Sequence, residues 1–139
     1  MKNNILTIQN PLDMPACIKK ALGKIWKALP DNMSDICYTY GFICYSPREL
    51  SRDLIVHESV HARQQGSNPD EWWQKYGEDI PFRYSQELEA YKAQYKYICA
   101  QLGDRKAFFY AKRFASDMSA PMYGDMCNYQ QALYDILRK

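Results

Sequence analysis

The spacing of apolar residues predicts a mainly helical chain. In the second half of the sequence, apolar residues recur at alternating intervals of four and three positions, which places them on one face of an α-helix. These residues are Tyr84, Leu88, Tyr91, Tyr95, Ile98 and Leu102. Gly103 follows and is expected to end this helix.

The same reasoning predicts five further helices. Pro11 and Pro15 frame the start of the first, which we expect to stop at Pro30. Its apolar side carries Ile18, Leu22, Ile25, Trp26 and Leu29. The others are predicted over residues 48–65, 70–76, 104–116 and 125–138, with a loop from Gly77 to Pro81 before the long helix.

Two segments favour strands. Residues 3–9 alternate weakly and predict a short strand. Residues 36–45 are rich in aromatic and β-branched side chains and predict a strand or a tight hairpin, with Gly41 at the bend. The expected fold class is therefore α+β, mainly helical, with one small sheet packed on the helix of residues 48–65.

The composition is typical of one globular domain covering residues 1–139, since 47% of the residues are hydrophobic and 24% are charged. The net charge of +2 gives no reason to expect nucleic acid or an anionic membrane as a partner. The N-terminal residues lack a signal-peptide pattern, and no apolar run approaches the roughly 18 residues of a membrane span. We therefore expect a cytoplasmic protein.

The five cysteines form an odd set without a C-x-x-C pair, so they indicate neither a zinc ribbon nor a redox motif. We expect reduced thiols packed as small apolar groups. Cys37 and Cys44 are placed so that they could pair across the predicted hairpin.

Both histidines of the chain fall in one motif, H-E-x-x-H, formed by His57, Glu58 and His61. In a helix the two imidazoles lie one turn apart on the same face and can bind one zinc ion through neutral ring nitrogens. Glu58 is offset by one residue, so it can lie beside the ion and act as general base toward a water molecule there. The competing interpretation is a solvated helix face or a pair of hydrogen-bonded core histidines.

A catalytic zinc ion normally has three protein ligands, and this chain has no third histidine. Gln64 and Ser67 occupy the positions at which a longer form of the motif would carry its glycine and its last histidine. The third ligand must then be a carboxylate or, as second choice, a thiolate. The acidic candidates downstream are Asp70, Glu71, Glu78, Asp79, Glu87 and Glu89.

Helical phase favours Glu87 among these acids. At about 100° per residue, Glu87 lies roughly 60° from the centre of the apolar stripe of the long helix, and Glu89 lies roughly 140° away. If that stripe packs against the histidine helix, Glu87 turns toward the metal and Glu89 toward solvent. The alternative role for Glu87 is a boundary carboxylate paired with Arg83.

These residues resemble the gluzincin type of zincin metallopeptidase, which carries H-E-x-x-H on one helix and a glutamate ligand on the next. The segment from Glu87 to Tyr91, Glu-Leu-Glu-Ala-Tyr, is similar to the family's E-x-x-A-D or E-x-E-A-N pattern, whose first glutamate binds zinc. The chain also looks like the short zincin-like proteins encoded by bacteriophages and prophages. The resemblance covers about residues 36–100 and implies a minimal zincin-like fold, in which the strand before the motif lines the cleft and pairs with an extended peptide.

The resemblance also suggests supporting residues. Where the family often has an Asp or Asn that assists a ligating histidine, this chain has Tyr91, whose oxygen can accept a hydrogen bond from an imidazole. Tyr84 and Tyr91 are candidates for oxyanion stabilisation, with core packing as their alternative role. Gln65 either supports the site or ends its helix, and Trp72 and Trp73 either anchor their helix or contact substrate.

The expected function is that of a zinc-dependent peptidase with one zinc ion and a peptide or protein substrate. His57, His61 and Glu87 would hold the ion and Glu58 would activate water. A second hypothesis is a zincin-fold module that keeps zinc for stability or for binding a protein partner, as a phage-encoded interaction or virion component in the host cytoplasm. Hydrolysis of peptidoglycan cross-links is compatible with the same site but needs a route to the cell wall.

Overall fold

The structure, a computed structural model, describes residues 7–9, 14–26 and 37–139. Over these residues the fold is α+β and mainly helical, as predicted, with six α-helices and one three-stranded sheet. The predictions for residues 3–6 and for Pro11, Leu29 and Pro30 lie outside the described residues.

The sheet is small and mixed, with strand order β1-β3-β2. Strand β1 (Thr7–Gln9) pairs in parallel with β3 (Ile43–Tyr45), and β3 pairs antiparallel with β2 (Tyr38–Tyr40). The hairpin predicted at Gly41 is confirmed. Gly41 has φ +65° at the first position of the two-residue turn, where a type II′ hairpin turn favours glycine.

The helices follow in the order α1 (Ala16–Ile25), α2 (Arg52–Gln65), α3 (Pro69–Glu78), α4 (Ile80–Leu102), α5 (Asp104–Met118) and α6 (Tyr129–Leu137). A 3₁₀ turn over Pro121–Tyr123 connects α5 to α6. None of the described helices is long and apolar enough to span a membrane.

Some predicted helix ends are wrong by several residues. Helix α1 ends at Ile25 because Trp26 is extended, and the Trp26 indole N–H donates to the carbonyl of Met122 at 2.6 Å. Helix α2 begins at Arg52 instead of residue 48, since the Ser46 side chain holds the preceding residues in a bend.

The predicted loop from Gly77 to Pro81 is also wrong. Helix α3 continues to Glu78, α4 begins at Ile80, and only Asp79 separates them. Gly77 is required by packing, because a Cβ there would come within 2.7 Å of the Cα of Ala21 in α1. Pro81 lies in the first turn of α4, where a missing N–H costs nothing, and Asp79 caps that turn by accepting the Phe82 N–H at 3.0 Å.

The described apolar side chains form two clusters on either side of α2. One joins α4, α5 and α6 around residues such as Ile98, Phe114 and Met118, and the other joins α1, the hairpin and α3. The ring of His57 packs edge-on against Tyr91 of the first cluster, with 4.5 Å between centroids. The ring of His61 lies 5.4 Å from Trp72 of the second cluster.

Most of the apolar stripe of α4 faces α5 and α6, which corrects the packing expected from the sequence, although the ring of Tyr91 also contacts His57 of α2. Tyr84, Leu88 and Tyr95 pack on the α4–α5–α6 cluster. The neighbouring face of α4, with the buried residues Glu87 and Gln94, lies against the histidine helix. Polar groups of two helices therefore meet in the interior, where each requires a partner.

Candidate metal centre

Helix α2 presents both histidines to the interior. It starts after Ser51 and ends at Gly66, whose φ of +57° terminates the helix. His57 and His61 lie one turn apart and are 4% and 6% exposed. The predicted solvated helix face is thereby excluded, and two buried imidazoles share one side of the helix.

Glu87 of α4 completes a cluster of three buried ligand atoms. Its Oε1 atom lies 3.3 Å from the Nε2 atom of His57 and 3.4 Å from that of His61. The three side chains are one of two groups among the described residues whose ligand atoms lie close enough together to hold a metal ion. Among the described residues, none donates a hydrogen bond of ordinary geometry to this Oε1 atom.

The two separations from Glu87 match those of a tetrahedral zinc site. With zinc–nitrogen and zinc–oxygen bonds of about 2.0–2.2 Å, neighbouring ligands of a tetrahedral ion are about 3.3–3.5 Å apart. The observed separations of 3.3 and 3.4 Å fall in this range, whereas an N–H···O hydrogen bond is about 2.7–3.2 Å long. The donor set of two imidazoles and one carboxylate is also one that zinc accepts.

Two glutamines orient the imidazole rings. The Nδ1 atom of His57 lies 3.0 Å from Gln94 Oε1, and that of His61 lies 2.8 Å from Gln64 Oε1. An amide oxygen only accepts, so each Nδ1 carries the hydrogen. In the neutral ring, each Nε2 then has a free lone pair directed at the centre of the cluster.

The orientation of each glutamine is determined by its other end. Gln94 Nε2 donates to Asp53 Oδ2 at 2.8 Å, and Gln64 Nε2 donates to the Gln86 carbonyl and to Glu89 Oε1, both at 2.9 Å. Because these acceptors require the amide NH₂, the amide oxygens must face the histidines. Two lone pairs and a carboxylate oxygen therefore converge, and a cation between them would have three ligand atoms.

The electrostatics of the cluster favour that positive charge. Burial opposes protonation of His61, but the carboxylates of Glu87 and Glu58 outweigh it and raise the pKa of His61 to about 9. Burial likewise opposes the charge of Glu87, yet the two histidines hold the pKa of this carboxyl below its usual range. Tyr76 donates its hydroxyl to Glu87 Oε2 at 2.6 Å, and burial next to Glu87 raises the pKa of this phenol, which keeps it a donor.

Glu58 lies beside the cluster in a cleft of about 110 Å³. Its Oε1 atom accepts a hydrogen bond from the hydroxyl of Thr39 in β2 at 2.7 Å. The described lining is largely aromatic and apolar, with Leu22, Ile25, Trp26, Tyr38, Trp72, Trp73, Tyr76, Met122 and Tyr123 among its residues. A carboxylate next to the three ligand atoms and within an open cleft has the position that a general base needs.

The structure does not give the predicted supporting residues the expected roles. The hydroxyl of Tyr91 pairs with that of Tyr123 at 2.9 Å, and only the ring of Tyr91 contacts His57. The hydroxyl of Tyr84 donates to Asp135 of α6 at 2.5 Å, away from the cleft, because the apolar stripe faces α6. Neither hydroxyl supports an imidazole.

Gln65 holds the hairpin instead of the cluster. Its Oε1 accepts the N–H of Gly41 at 2.7 Å, and its Nε2 donates to the Thr39 carbonyl at 2.8 Å. The indole N–H of Trp73 donates to the same carbonyl at 3.0 Å. Both lone pairs of this carbonyl are therefore occupied. An extended peptide cannot hydrogen-bond to it, so the strand pairing that the resemblance implies does not apply at Thr39.

The competing acids all have partners elsewhere. Glu78 forms an ion pair with Lys24, Asp70 accepts from Tyr40, Glu71 contacts Asn68, Asp79 caps α4, and Glu89 is exposed and accepts from Gln64. The predicted alternative for Glu87 is also wrong, since Arg83 donates to the backbone carbonyls of Tyr76, Gly77 and Tyr123.

Four residues of the site were missed by the sequence reasoning. Gln94 had a usable signal, because it lies seven residues after Glu87 and so shares its helical face. Gln64 likewise follows His61 by three residues in the same helix. Tyr76 and Thr39 had no usable signal in the sequence, because only the tertiary fold brings α3 and β2 to the cluster.

The comparisons with known proteins add no family to this description: no family model, curated protein or solved structure matches the chain.

Proposed function

We propose that the protein is a zinc-dependent peptidase, with His57, His61 and Glu87 as zinc ligands and Glu58 as general base. The observation that carries the proposal is the convergence of three buried ligand atoms, with Glu87 at tetrahedral spacing from both histidines, beside a cleft that contains Glu58. The resemblance to gluzincins agrees with this choice of ligands and base.

The residues of the chain have distinct tasks in this reaction. A bound zinc ion would supply a Lewis acid that polarises the scissile carbonyl and lowers the pKa of water. Glu58 takes a proton from the attacking water and transfers it to the leaving amine nitrogen, while the Thr39 hydroxyl orients its carboxylate. Gln94 and Gln64 keep the imidazoles in the tautomer that offers Nε2 to the metal.

The contacts around the cleft favour a substrate that binds without a β-strand hydrogen bond to the Thr39 carbonyl. The Thr39 carbonyl is occupied by Gln65 and Trp73, and the described walls of the cleft are aromatic. We propose a peptide whose apolar side chain contacts this lining. The proposed setting is the cytoplasm, that of a bacterial host if the protein is phage-encoded.

A second candidate function is a zinc-binding module without hydrolytic activity that binds a protein partner. The filled carbonyl of Thr39 and the small volume of the cleft favour it, because an extended peptide has less backbone to pair with. Both functions use the same ligands and differ only in the role of Glu58.

Metal analysis and a cleavage screen separate these candidates. Purified wild type should contain about one zinc ion and cleave members of a proteome-derived peptide library. Glu58→Gln should retain the zinc and lose activity by a factor of about 100 or more, since it removes the base. The exposed Glu49→Gln is the matched control and should match wild type.

Each other result has a definite meaning. Zinc retained with no cleavage by wild type would replace the peptidase proposal with the binding module. A protein that takes up no zinc, or takes it up equally after His57→Ala and Glu87→Ala, would overturn both.

A further inference from the structure

Two thiols and a carboxylate meet under the hairpin, next to the histidine cluster. The Sγ atoms of Cys37 and Cys44 are 3.6 Å apart, and both cysteines are free thiols. A carboxylate oxygen of Glu58 joins them, with all three potential ligand atoms within 4.8 Å of one another. Cys44 is fully buried, while Cys37 and Glu58 line the cleft, so the group is accessible from one side.

The hairpin and α2 hold this group in place independently of any ligand. Thr39 is the cross-strand partner of Cys44, and its hydroxyl donates to Glu58 Oε1 at 2.7 Å. Gln65 of α2 binds both Thr39 and Gly41 of the same hairpin. The carboxylate is thus directed at the strand that carries the buried thiol.

The sulfur–sulfur distance is compatible with coordination of one ion. Two thiolates on a tetrahedral zinc ion, with bonds of about 2.3 Å, lie about 3.8 Å apart. The observed 3.6 Å is close to this value, whereas a disulfide needs about 2.0 Å and hence a movement of the hairpin. A shared S–H···S hydrogen bond is the alternative, and it predicts no affinity for metal.

We propose that Cys37, Cys44 and Glu58 form a second cation site, specific for a thiophilic divalent ion such as zinc. On binding, each thiol releases its proton to solvent as its sulfur–metal bond forms, and Glu58 supplies the carboxylate oxygen. Two thiolates and one carboxylate suit soft or borderline ions and exclude magnesium and calcium.

One consequence concerns the neighbouring site and rests on the proposed function. An ion held by Glu58 removes the general base from the reaction, so an excess of thiophilic metal is expected to inhibit hydrolysis. The second site itself depends only on its own residues and stands even if the peptidase proposal fails.

Cadmium titration of the reduced, metal-free full chain tests the site. We expect a thiolate-to-cadmium charge-transfer band whose final intensity corresponds to one cadmium ion bound by thiolates per chain. Glu87→Gln, which disables the histidine cluster, should retain the band, and so should Cys99→Ser, a matched control at a free, half-buried cysteine outside the group. Cys37→Ser and Cys44→Ser should each lose it.

The results decide the proposal in either direction. Absence of the band in wild type, or a band of equal strength after Cys37→Ser, would overturn it. If Cys44→Ser fails to fold, alkylation of wild type with and without cadmium gives the same decision. Selective protection of Cys37, the accessible thiol of the pair, supports the site, and unchanged labelling of Cys37 overturns it.

Discussion

The orientation of the two imidazoles depends on two amide side chains. Gln94 is 2% exposed and bridges Asp53 and His57, while Gln64 bridges Glu89 and His61. The carboxylates therefore act on the histidines through an intervening amide. This arrangement sets the tautomer and the ring angle without bringing Asp53 or Glu89 into contact with the imidazoles.

Replacing Gln94 should weaken zinc binding without removing a ligand. Gln94→Leu keeps a similar volume but leaves the Nδ1–H of His57 and the Asp53 carboxylate without this partner. We expect zinc affinity to fall by about 10- to 100-fold, measured by competition with a chromogenic chelator. Gln101→Leu, at an exposed position of the same helix, should bind zinc like wild type. Equal affinities for the two variants would contradict the role of Gln94.

Helices α1 and α3 approach each other closely at one position. Gly77 lies where any Cβ would meet Ala21, at 2.7 Å from its Cα and 2.9 Å from its Cβ. The contact also positions α3, which contributes Tyr76 and Trp72 to the site. A glycine that a sequence pattern assigns to a loop is thus a packing requirement inside a helix.

Gly77→Ala should therefore destabilise the protein although alanine is the better helix former. The clash should lower the free energy of unfolding by about 1–3 kcal/mol, measured by urea denaturation. Gly23→Ala in α1 is the matched control, since nothing lies within 4 Å of its added Cβ. It should stabilise the protein by about 0.5–1 kcal/mol. A stabilising Gly77→Ala would show that the helices can separate without cost.

Helices α4 and α6 are joined by a hydrogen-bonded carboxylate. Asp135 accepts from the Tyr84 hydroxyl at 2.5 Å and from Gln131 Nε2 at 3.0 Å. Burial opposes the charge of Asp135, but these donors outweigh it and hold the pKa of its carboxyl below the ordinary value. A lowered pKa in the folded state stabilises the protein above the unfolded-state pKa of about 3.9, and the effect disappears as the pH falls through the folded-state value.

Asp135→Asn should accordingly reduce stability most near neutral pH. The difference in unfolding free energy between wild type and variant should shrink as the pH falls below about 4, measured by urea denaturation between pH 6 and pH 3. Asp125→Asn, at an exposed position, is the matched control. A constant difference for Asp135→Asn would show that its charge has no part in joining the helices.

Across the whole molecule, the histidine cluster connects two apolar clusters. His57 packs on Tyr91 of the α4–α5–α6 cluster, and His61 packs on Trp72 of the α1–hairpin–α3 cluster. Glu87 links both histidines from α4 and is itself held by Tyr76 of α3. Any cation at this point ties α2, α3 and α4 together, so its binding energy becomes folding energy.

Chelation should thus lower the thermal stability of the whole chain in one cooperative step. A ligand present at about 1,000 times its Kd stabilises the folded state by about 4 kcal/mol, which corresponds to a shift in Tm of roughly 14 °C for a chain of this size. Differential scanning calorimetry of wild type with and without chelator measures it. His61→Ala combined with Cys37→Ser, which removes both proposed sites, should show no chelator effect. A wild-type Tm that does not change with chelator would rule out structural metal at this cluster.

The sequence alone determined the features that depend on local order. The H-E-x-x-H spacing in a helix places His57 and His61 on one face with Glu58 beside them, because helical periodicity requires it. The hairpin at Gly41, the end of α2 at Gly66 and the end of α4 at Gly103 also follow from local backbone preference. Glu87 was selected from helical phase and does lie against both histidines, although most of the apolar stripe packs elsewhere.

The tertiary structure alone decided which face of α4 meets α2 and which groups support the ligands. Most of the apolar stripe packs on α5 and α6, so the polar face with Glu87 and Gln94 lies against the histidines of α2. Tyr76 and Thr39 contribute hydrogen bonds to the site from elements that are distant in sequence. Tyr84 instead donates its hydroxyl to Asp135, outside the site. Periodicity along one helix specifies its faces, but the neighbour of each face depends on how all the helices bury their apolar area together.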